Sequence, residues 1–168
     1  MSETDKLLVT TALVDSWGLD EEIVFLGEWC KPYDSGLPLE GRVHSTVPFH
    51  WSDDKKLKSD HDYLMVLFER VLNGLVCRLN HYHGVNRTSR YWRIILGPWL
   101  ASFIGIFLDR YRSLCVAVDS GKVTNTWITT EFPEGYLPND LSGFRDRYLE
   151  DDYNHCLYIK EDAGKLLV

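Results

Sequence analysis

Short runs of apolar residues alternate with longer segments of helical periodicity along this chain. Residues 7–9 and 23–26 are apolar at every position, and residues 123–130 are rich in β-branched side chains. Continuous apolar runs are typical of strands that are buried on both faces, as in a parallel sheet. We therefore predict neighbouring strands over 7–10, 23–27 and 123–130 in a small, mostly parallel sheet.

A long amphipathic helix is predicted over residues 53–83. Ser52 is a favourable N-cap residue, and Gly84 is a favourable residue just beyond the C-terminus. The apolar positions recur every three or four residues, the spacing of one helical face, and they are Leu64, Phe68, Val71, Leu75, Leu79 and Tyr82. This helix and a later one are expected to cover the sheet.

A second helical segment opens near Ser89, a candidate N-cap. Pro98 lacks an amide hydrogen and its ring clashes with the preceding turn, so we predict a break at Gly97-Pro98 and a separate helix over 98–118. The apolar run over 94–108 is about 15 residues long, shorter than the roughly 20 that span a bilayer. It therefore favours a buried core helix over a membrane segment.

The other segments complete the expected architecture. Residues 31–49 and 132–139 contain prolines and are predicted to be loops, and residues 140–163 are predicted to form one or two closing helices. Strands joined by long helices in this order predict a single α/β domain over residues 1–168.

Charge and composition narrow the possible functions. The net charge of −7 argues against general affinity for nucleic acid or anionic lipid, because both need basic surface. Aromatic residues make up 13% of the chain, with six Trp, which indicates an aromatic core or a face built for a ligand. The cysteines are widely spaced and residues 1–6 are polar. Reduced thiols, the absence of a signal peptide and a cytoplasmic location are therefore expected.

Polar and aromatic residues directly follow the first two predicted strands. Thr10 and Thr11 end the first, and Glu28 and Trp29 come just after the second. Ligands bind at the carboxyl ends of strands in open α/β sheets, which makes all four residues substrate-site candidates and Glu28 a candidate proton acceptor. In the alternative interpretation Glu28 caps a loop and Trp29 packs.

Two further pairs lie near predicted helix ends. Asn80 and His83 share a helical face and can hydrogen-bond a sugar, or alternatively cap the end of their own helix. Arg90 and Arg93 lie at a helix start, where guanidinium groups and free N–H groups suit a phosphate or a carboxylated sugar. The alternative for the arginines is ion pairing with acidic side chains.

His50, next to Trp51 and just before the long helix, is the second candidate proton acceptor. Its alternative is a structural histidine. The histidines as a set show no metal-ligand spacing, so no metal site is predicted. We expect Glu28, His50 and the helix-end candidates to gather around one cleft at the carboxyl ends of the strands.

Distinctive segments are spread along most of the chain. They are residues 8–13, 25–30, 50–51, 79–80 with 83, 90–100, 107–110 and 153–155. Together they resemble a bacterial family, the leptospira-type transferases linked to surface-carbohydrate biosynthesis. The block at 90–100, with the sequence RYWRIILGPWL, is the most specific part of the resemblance.

The resemblance implies a Rossmann-like fold, similar to the N-terminal half of a two-domain, GT-B-like glycosyltransferase. In such enzymes the N-terminal half binds the acceptor and the C-terminal half mainly holds the nucleotide-sugar donor. Because members of the family are much longer, the chain is expected to be the acceptor-side half, without the donor-binding half and inactive alone.

The implied function is transfer of a sugar from an activated donor to a precursor of a bacterial surface polysaccharide. No cofactor is expected beyond the nucleotide-sugar donor of the complete enzyme. Expected partners are a carbohydrate or activated-sugar substrate and a separate C-terminal half, with no nucleic acid; peripheral membrane association stays open. The alternatives are a non-catalytic module that binds a carbohydrate or a partner, and an inactive fragment of such an enzyme.

Overall fold

The computed structural model describes residues 6–18, 21–32, 39, 41–128, 136 and 138–162, with the side chains of 159–162 excepted. The chain packs as two compact units. The first unit comprises residues 1–49 and 111–168, and the second comprises residues 50–110. The prediction of a single domain stays a prediction.

The first unit is built on a small parallel sheet, as the apolar runs predict. Its described strands are β1 (Lys6–Val9), β2 (Glu22–Phe25), β3 (His44–Thr46) and β4 (Asn125–Thr126). Their order is β3-β2-β1-β4, and every described pairing is parallel. The α/β class is therefore confirmed, whereas the covering of the sheet by the long helices and the GT-B-like resemblance stay predictions.

The centre of the sheet forms the core of the first unit. The apolar runs of β1 and β2 are almost fully buried, and Trp17 packs edge-on against Phe25 with ring centroids 5.3 Å apart. Because β1 is parallel to both β2 and β4, the residues that follow these three strands leave the sheet at the same edge. We call this edge, with the segments 10–12, 27–30 and 127–128, the carboxyl edge.

β1 and β2 each begin one residue before their predicted bounds and end one or two residues earlier, whereas β3 was not predicted and β4 is much shorter than predicted. β3 lies within the predicted loop 31–49; its residues His44, Ser45 and Thr46 carry no apolar signal, and backbone pairing with β2 holds them. β4 is only Asn125–Thr126, and residues 127–128 have left the ladder although their side chains favour strands. Residues 129–130 of that prediction lie outside the described residues, as do most residues of the predicted 132–139 loop.

Four described helices follow the predicted helical segments. They are α1 (Asp54–His83), α2 (Ser89–Asp119), α3 (Leu141–Arg147) and α4 (Asp151–Asp162). The N-cap of α1 is Asp53 rather than Ser52, since its carboxylate accepts a hydrogen bond from the Lys55 amide at 3.0 Å. Gly84 ends α1 with a φ of 62°, the left-handed conformation that glycine adopts without strain.

The predicted break at Gly97-Pro98 is wrong, because α2 runs unbroken through Pro98. Proline removes one backbone hydrogen bond and crowds the preceding turn, yet side chains on both sides of it are buried in one apolar cluster. Trp92 precedes Pro98 and Leu100 and Ile104 follow it, and all three pack with Leu72 of α1. This shared packing offsets the local cost of the proline and keeps α2 helical on both sides of it.

α2 is long and apolar enough to cross a membrane by length and composition, a property that core helices of soluble proteins share. Only 28% of its most apolar window is buried, less than the predicted buried core helix implies. Much of its apolar surface, including Ile94 and Ile95, is exposed instead.

Candidate functional site

The threonines after β1 form the buried centre of the carboxyl edge. Thr10 is 4% exposed and Thr11 is 1% exposed. The Thr10 hydroxyl lies 3.5 Å from Nδ1 of His155. The Thr11 hydroxyl has no hydrogen-bond partner among the residues that the structure describes. Because native proteins pair nearly all buried polar groups, Thr11 offers a hydrogen-bonding group that the described fold leaves unused.

The start of α4 lies beside these threonines. A carboxylate oxygen of Asp151 accepts a hydrogen bond from the Ala12 amide at 3.1 Å, which fixes the first turn of α4 next to the loop after β1. One turn later His155 is 4% exposed and meets Thr10. The sequence pointed to His155 only through the family resemblance, and it did not point to Asp151. The available signal for Asp151 was its position among acidic residues at the start of a helix.

His155 makes stability depend on pH in the mildly acidic range. Burial lowers the pKa of His155 from its usual 6.5, so the unfolded chain binds this proton more tightly than the folded chain. The stabilisation is therefore expected to be complete above about pH 6.5 and to be lost as the pH falls through the lower folded-state pKa. Urea unfolding followed by circular dichroism across this range measures the loss.

The matched variants are His155→Gln and His81→Gln. His155→Gln is expected to flatten the pH dependence because it removes the buried titrating group. His81→Gln, at an exposed position of α1, is expected to retain it. An unchanged pH dependence in His155→Gln would show that other groups cause the loss.

Trp29 presents its indole at the end of β2. The side chain is 45% exposed, and its six-membered ring lies directly against Gly27, where any Cβ would overlap it. A glycine at position 27 thus allows the indole to rest on the backbone with one part facing solvent. This exposure does not fit the alternative in which Trp29 packs in the core. The tryptophan that packs in the core of the first unit is Trp17, which is 1% exposed.

Glu28 lies on the surface next to Trp29. Its carboxylate accepts hydrogen bonds from the Lys31 ammonium at 2.8 and 2.9 Å. The Lys31 ammonium, and then the Thr46 hydroxyl, hold the pKa of Glu28 below its usual value. A lowered pKa makes a carboxylate a weaker base, but its oxygens still accept hydrogen bonds from hydroxyl groups.

Cys30, two residues further on, has no nucleophilic role at neutral pH. Its side chain is fully buried, and this burial raises the pKa of the thiol to about 12. The reactive form of a cysteine is the thiolate, so the Cys30 thiol stays protonated and acts as a packing group.

Trp127 is a second exposed tryptophan at the carboxyl edge, within a segment predicted only as a strand. It directly follows β4, and its side chain is 52% exposed. The signal available in the sequence was its position at the end of a β-branched run, next to a loop. Trp29 and Trp127 therefore leave strands that lie on opposite sides of β1.

In the second unit, His50 is buried behind Asp109. His50 is 6% exposed, its Nε2 lies 3.4 Å from Oδ1 of Asp109, and its ring contacts Trp51 at 4.4 Å between centroids. Burial raises the pKa of Asp109, and the Arg110 guanidinium opposes that shift. The Trp51 indole N–H donates to Asp60 at 3.0 Å. Because its side chain is 30% exposed, Asp109 is more accessible to a ligand than His50.

Asn80, in the last turn of α1, holds the connection between α1 and α2 together. Its side-chain oxygen accepts hydrogen bonds from the Arg87 amide at 3.0 Å and the Trp92 indole at 2.9 Å. Its amide nitrogen donates to the Arg87 carbonyl at 2.9 Å. These bonds favour a structural role for Asn80 over sugar binding, although they cap the following loop rather than the carbonyls of α1.

The remaining helix-end candidates are exposed. Both terminal nitrogens of Arg93 donate to the Glu69 carboxylate at 2.6 Å, and its guanidinium lies over the Phe68 ring. This is the ion-pairing alternative for Arg93. His83 stacks on Trp92 with centroids 5.8 Å apart, and Arg90 is exposed at the start of α2.

The structure does not bring all the candidates of the second unit together. His50 precedes α1, whereas Asn80 and His83 lie in its last turn. An unbroken helix of 30 residues separates its ends by about 45 Å. The expectation of one shared cleft therefore fails for these residues, because no turn folds α1 back on itself.

Comparisons with known proteins identify one family. The family model described as LIC12162 family transferase matches residues 6–161. Searches of curated proteins and of solved structures found no match. The family match spans the candidate residues in both units.

Proposed function

The chain belongs to the LIC12162 family of transferases, and on that basis we propose that it takes part in sugar transfer from an activated donor to a bacterial surface-polysaccharide precursor. The carboxyl edge of the first unit is the acceptor-binding surface in this proposal. The observation that carries it is the exposed Trp29 indole at the same sheet edge as the buried threonines that follow β1. Sugars are bound by aromatic faces together with a few polar groups, and the carboxyl edge offers both.

The other candidate residues have different roles in this proposal. Thr10 and Thr11 are substrate-site candidates in this proposal. The Thr11 hydroxyl has no hydrogen-bond partner among the described residues, and Thr10 contacts His155. Glu28 is the candidate at the carboxyl edge to accept a proton from the acceptor hydroxyl, and His50 is a separate candidate proton acceptor in the second unit. Glu28 has the accessible carboxylate, while His50 acts together with Asp109. His83, Arg90 and Arg93, near the end of α1 away from His50, are candidates within the second unit for binding an anionic ligand, and Asn80 holds the α1–α2 connection next to them.

A genetic experiment tests the proposal in the organism that encodes the chain. Deleting the gene is expected to shorten or remove one surface glycan, seen as a changed ladder on a glycan-stained gel. The unmodified gene should restore the ladder, and a Trp29→Ala copy should fail although its protein accumulates normally. A Val66→Ala copy is the matched control, since Val66 is 67% exposed in the second unit. An unchanged ladder after deletion would overturn the proposed function.

A second candidate function is a non-catalytic module that binds a partner subunit, such as a separate C-terminal half. The apolar surface of the second unit favours it. Leu64, Met65 and Phe68 of α1 and Ala101 and Ile104 of α2 line an apolar groove, and exposed apolar surface of this kind marks interaction sites. Purification of the tagged chain from its own cells, with and without Met65→Lys, tests it. A partner that is lost with Met65→Lys supports this candidate, and a chain that elutes alone in both cases contradicts it.

A further inference from the structure

Two exposed indoles flank the buried centre of the carboxyl edge. Trp29 follows β2 and Trp127 follows β4, and β1 lies between these strands. Neighbouring strands lie about 4.8 Å apart, so β2 and β4 are separated by about 10 Å. Each tryptophan keeps about half of its surface in solvent, at 45% and 52%. A single exposed aromatic is common on a protein surface, but here two leave the same edge of one sheet.

The charges of the described residues at the carboxyl edge favour a neutral ligand rich in hydroxyl groups. Glu28 and Asp151 place carboxylates at this edge, and the nearby Lys31 ammonium is bound to Glu28. Carboxylates accept hydrogen bonds from hydroxyl groups but repel phosphate. The edge therefore suits the acceptor sugar chain and disfavours the diphosphate of a nucleotide donor.

The spacing adds a constraint on length. The strands that carry the two indoles are about two strand spacings apart, a separation longer than one pyranose ring. Thr11, whose buried hydroxyl has no hydrogen-bond partner among the described residues, follows β1, the strand between the two that carry the indoles. A ligand that contacts both indoles therefore has at least two linked sugar units.

We propose that the carboxyl edge binds a neutral oligosaccharide, with Trp29 and Trp127 stacking on different sugar units. This inference rests on the proposed function, because it identifies the acceptor as a sugar chain that already has two or more units. The class of reaction that supplies the acceptor is then an earlier glycosyl transfer, which has joined those units before this step.

The experiment uses the full chain labelled with 5-fluorotryptophan and fluorine NMR, with Trp→Phe variants to assign the signals. The probes are linear oligosaccharides of glucose, galactose, mannose or rhamnose, each with one to four units. At least one series is expected to shift the Trp29 and Trp127 signals together. Its tetrasaccharide should bind about ten times more tightly than its monosaccharide, the gain expected from a second stacked ring.

Alanine variants complete the design. Trp127→Ala is expected to weaken tetrasaccharide binding about tenfold and to leave monosaccharide binding at Trp29 unchanged. Tyr82→Ala, which removes an aromatic side chain that is 82% exposed in the second unit, should change neither. Circular dichroism confirms that each variant is folded.

The outcomes separate this inference from the proposed function. Binding without dependence on chain length, a response of only one indole, or no binding of any probe overturns the two-platform site. Tetrasaccharide binding at both indoles, together with an unchanged glycan ladder after gene deletion, supports the site and overturns the transfer function instead.

Discussion

An Asn80→Ala variant is expected to lose about 1–3 kcal/mol in the free energy of unfolding, the usual cost of leaving a buried hydrogen-bonding group without its partner. The group that loses its partner is the indole N–H of Trp92, whose side chain is 7% exposed. The Arg87 amide and carbonyl lose their bonds to Asn80 as well, but Arg87 is exposed and water replaces them. Urea unfolding monitored by circular dichroism measures the change.

Two companion variants sharpen this test. Asn80→Asp keeps an oxygen that accepts from Trp92 and Arg87, so it is expected to be less destabilised than Asn80→Ala. His81→Ala replaces an exposed neighbour in the same helical turn and should change stability little. An Asn80→Ala protein with wild-type stability and impaired sugar binding would instead support the substrate-binding role.

Leu72→Ala is expected to destabilise the second unit by roughly 2–5 kcal/mol, the range for leucine-to-alanine changes in well-packed cores. Leu72 is fully buried in the cluster that joins α1 to α2, together with Trp92, Leu100 and Ile104. Removing its branched side chain leaves a cavity below the part of α2 that contains Pro98. We expect this part of the helix to open first, because the proline has already removed one backbone hydrogen bond there.

Hydrogen exchange of the α2 amides, followed by mass spectrometry, locates that opening. Val66→Ala on the exposed side of α1 is the matched control, since Val66 is 67% exposed, and its exchange should stay close to wild type. Uniformly faster exchange throughout the second unit in Leu72→Ala would contradict preferential opening around Pro98.

The central strands and the long helices followed from the sequence, because their signals are strong and local. β1 and β2 are apolar at nearly every position, and α1 combines a regular apolar face with Gly84 at its end. β3 has no such signal, since its three residues are polar and only pairing with β2 orders them. Pro98 wrongly predicted a helix break, because packing of α2 against α1 keeps the helix continuous there.

The sequence predicted only those residues of the candidate site that directly follow an apolar strand. Glu28 and Trp29 follow an apolar run, so a general rule about parallel sheets pointed to them. Trp127 was hidden because its β-branched neighbours extend the apparent strand beyond Thr126. His155 and Asp151 reach the same edge from a distant helix, and no sequence spacing encodes that contact. The long α1 separates His50 from His83, a distance that a list of polar residues does not contain.

The short outer strands of the sheet bear on how the protein behaves at high concentration. β3 has three residues and β4 has two, and each forms an outer side of the described sheet. Exposed strand edges can pair with other chains and start aggregation, and very short edge strands are one way in which natural proteins prevent this. The outer strands of the described sheet therefore offer another chain only a few free backbone groups with which to pair. The protein can expose two tryptophans at the carboxyl edge while its outer strands give little template for aggregation.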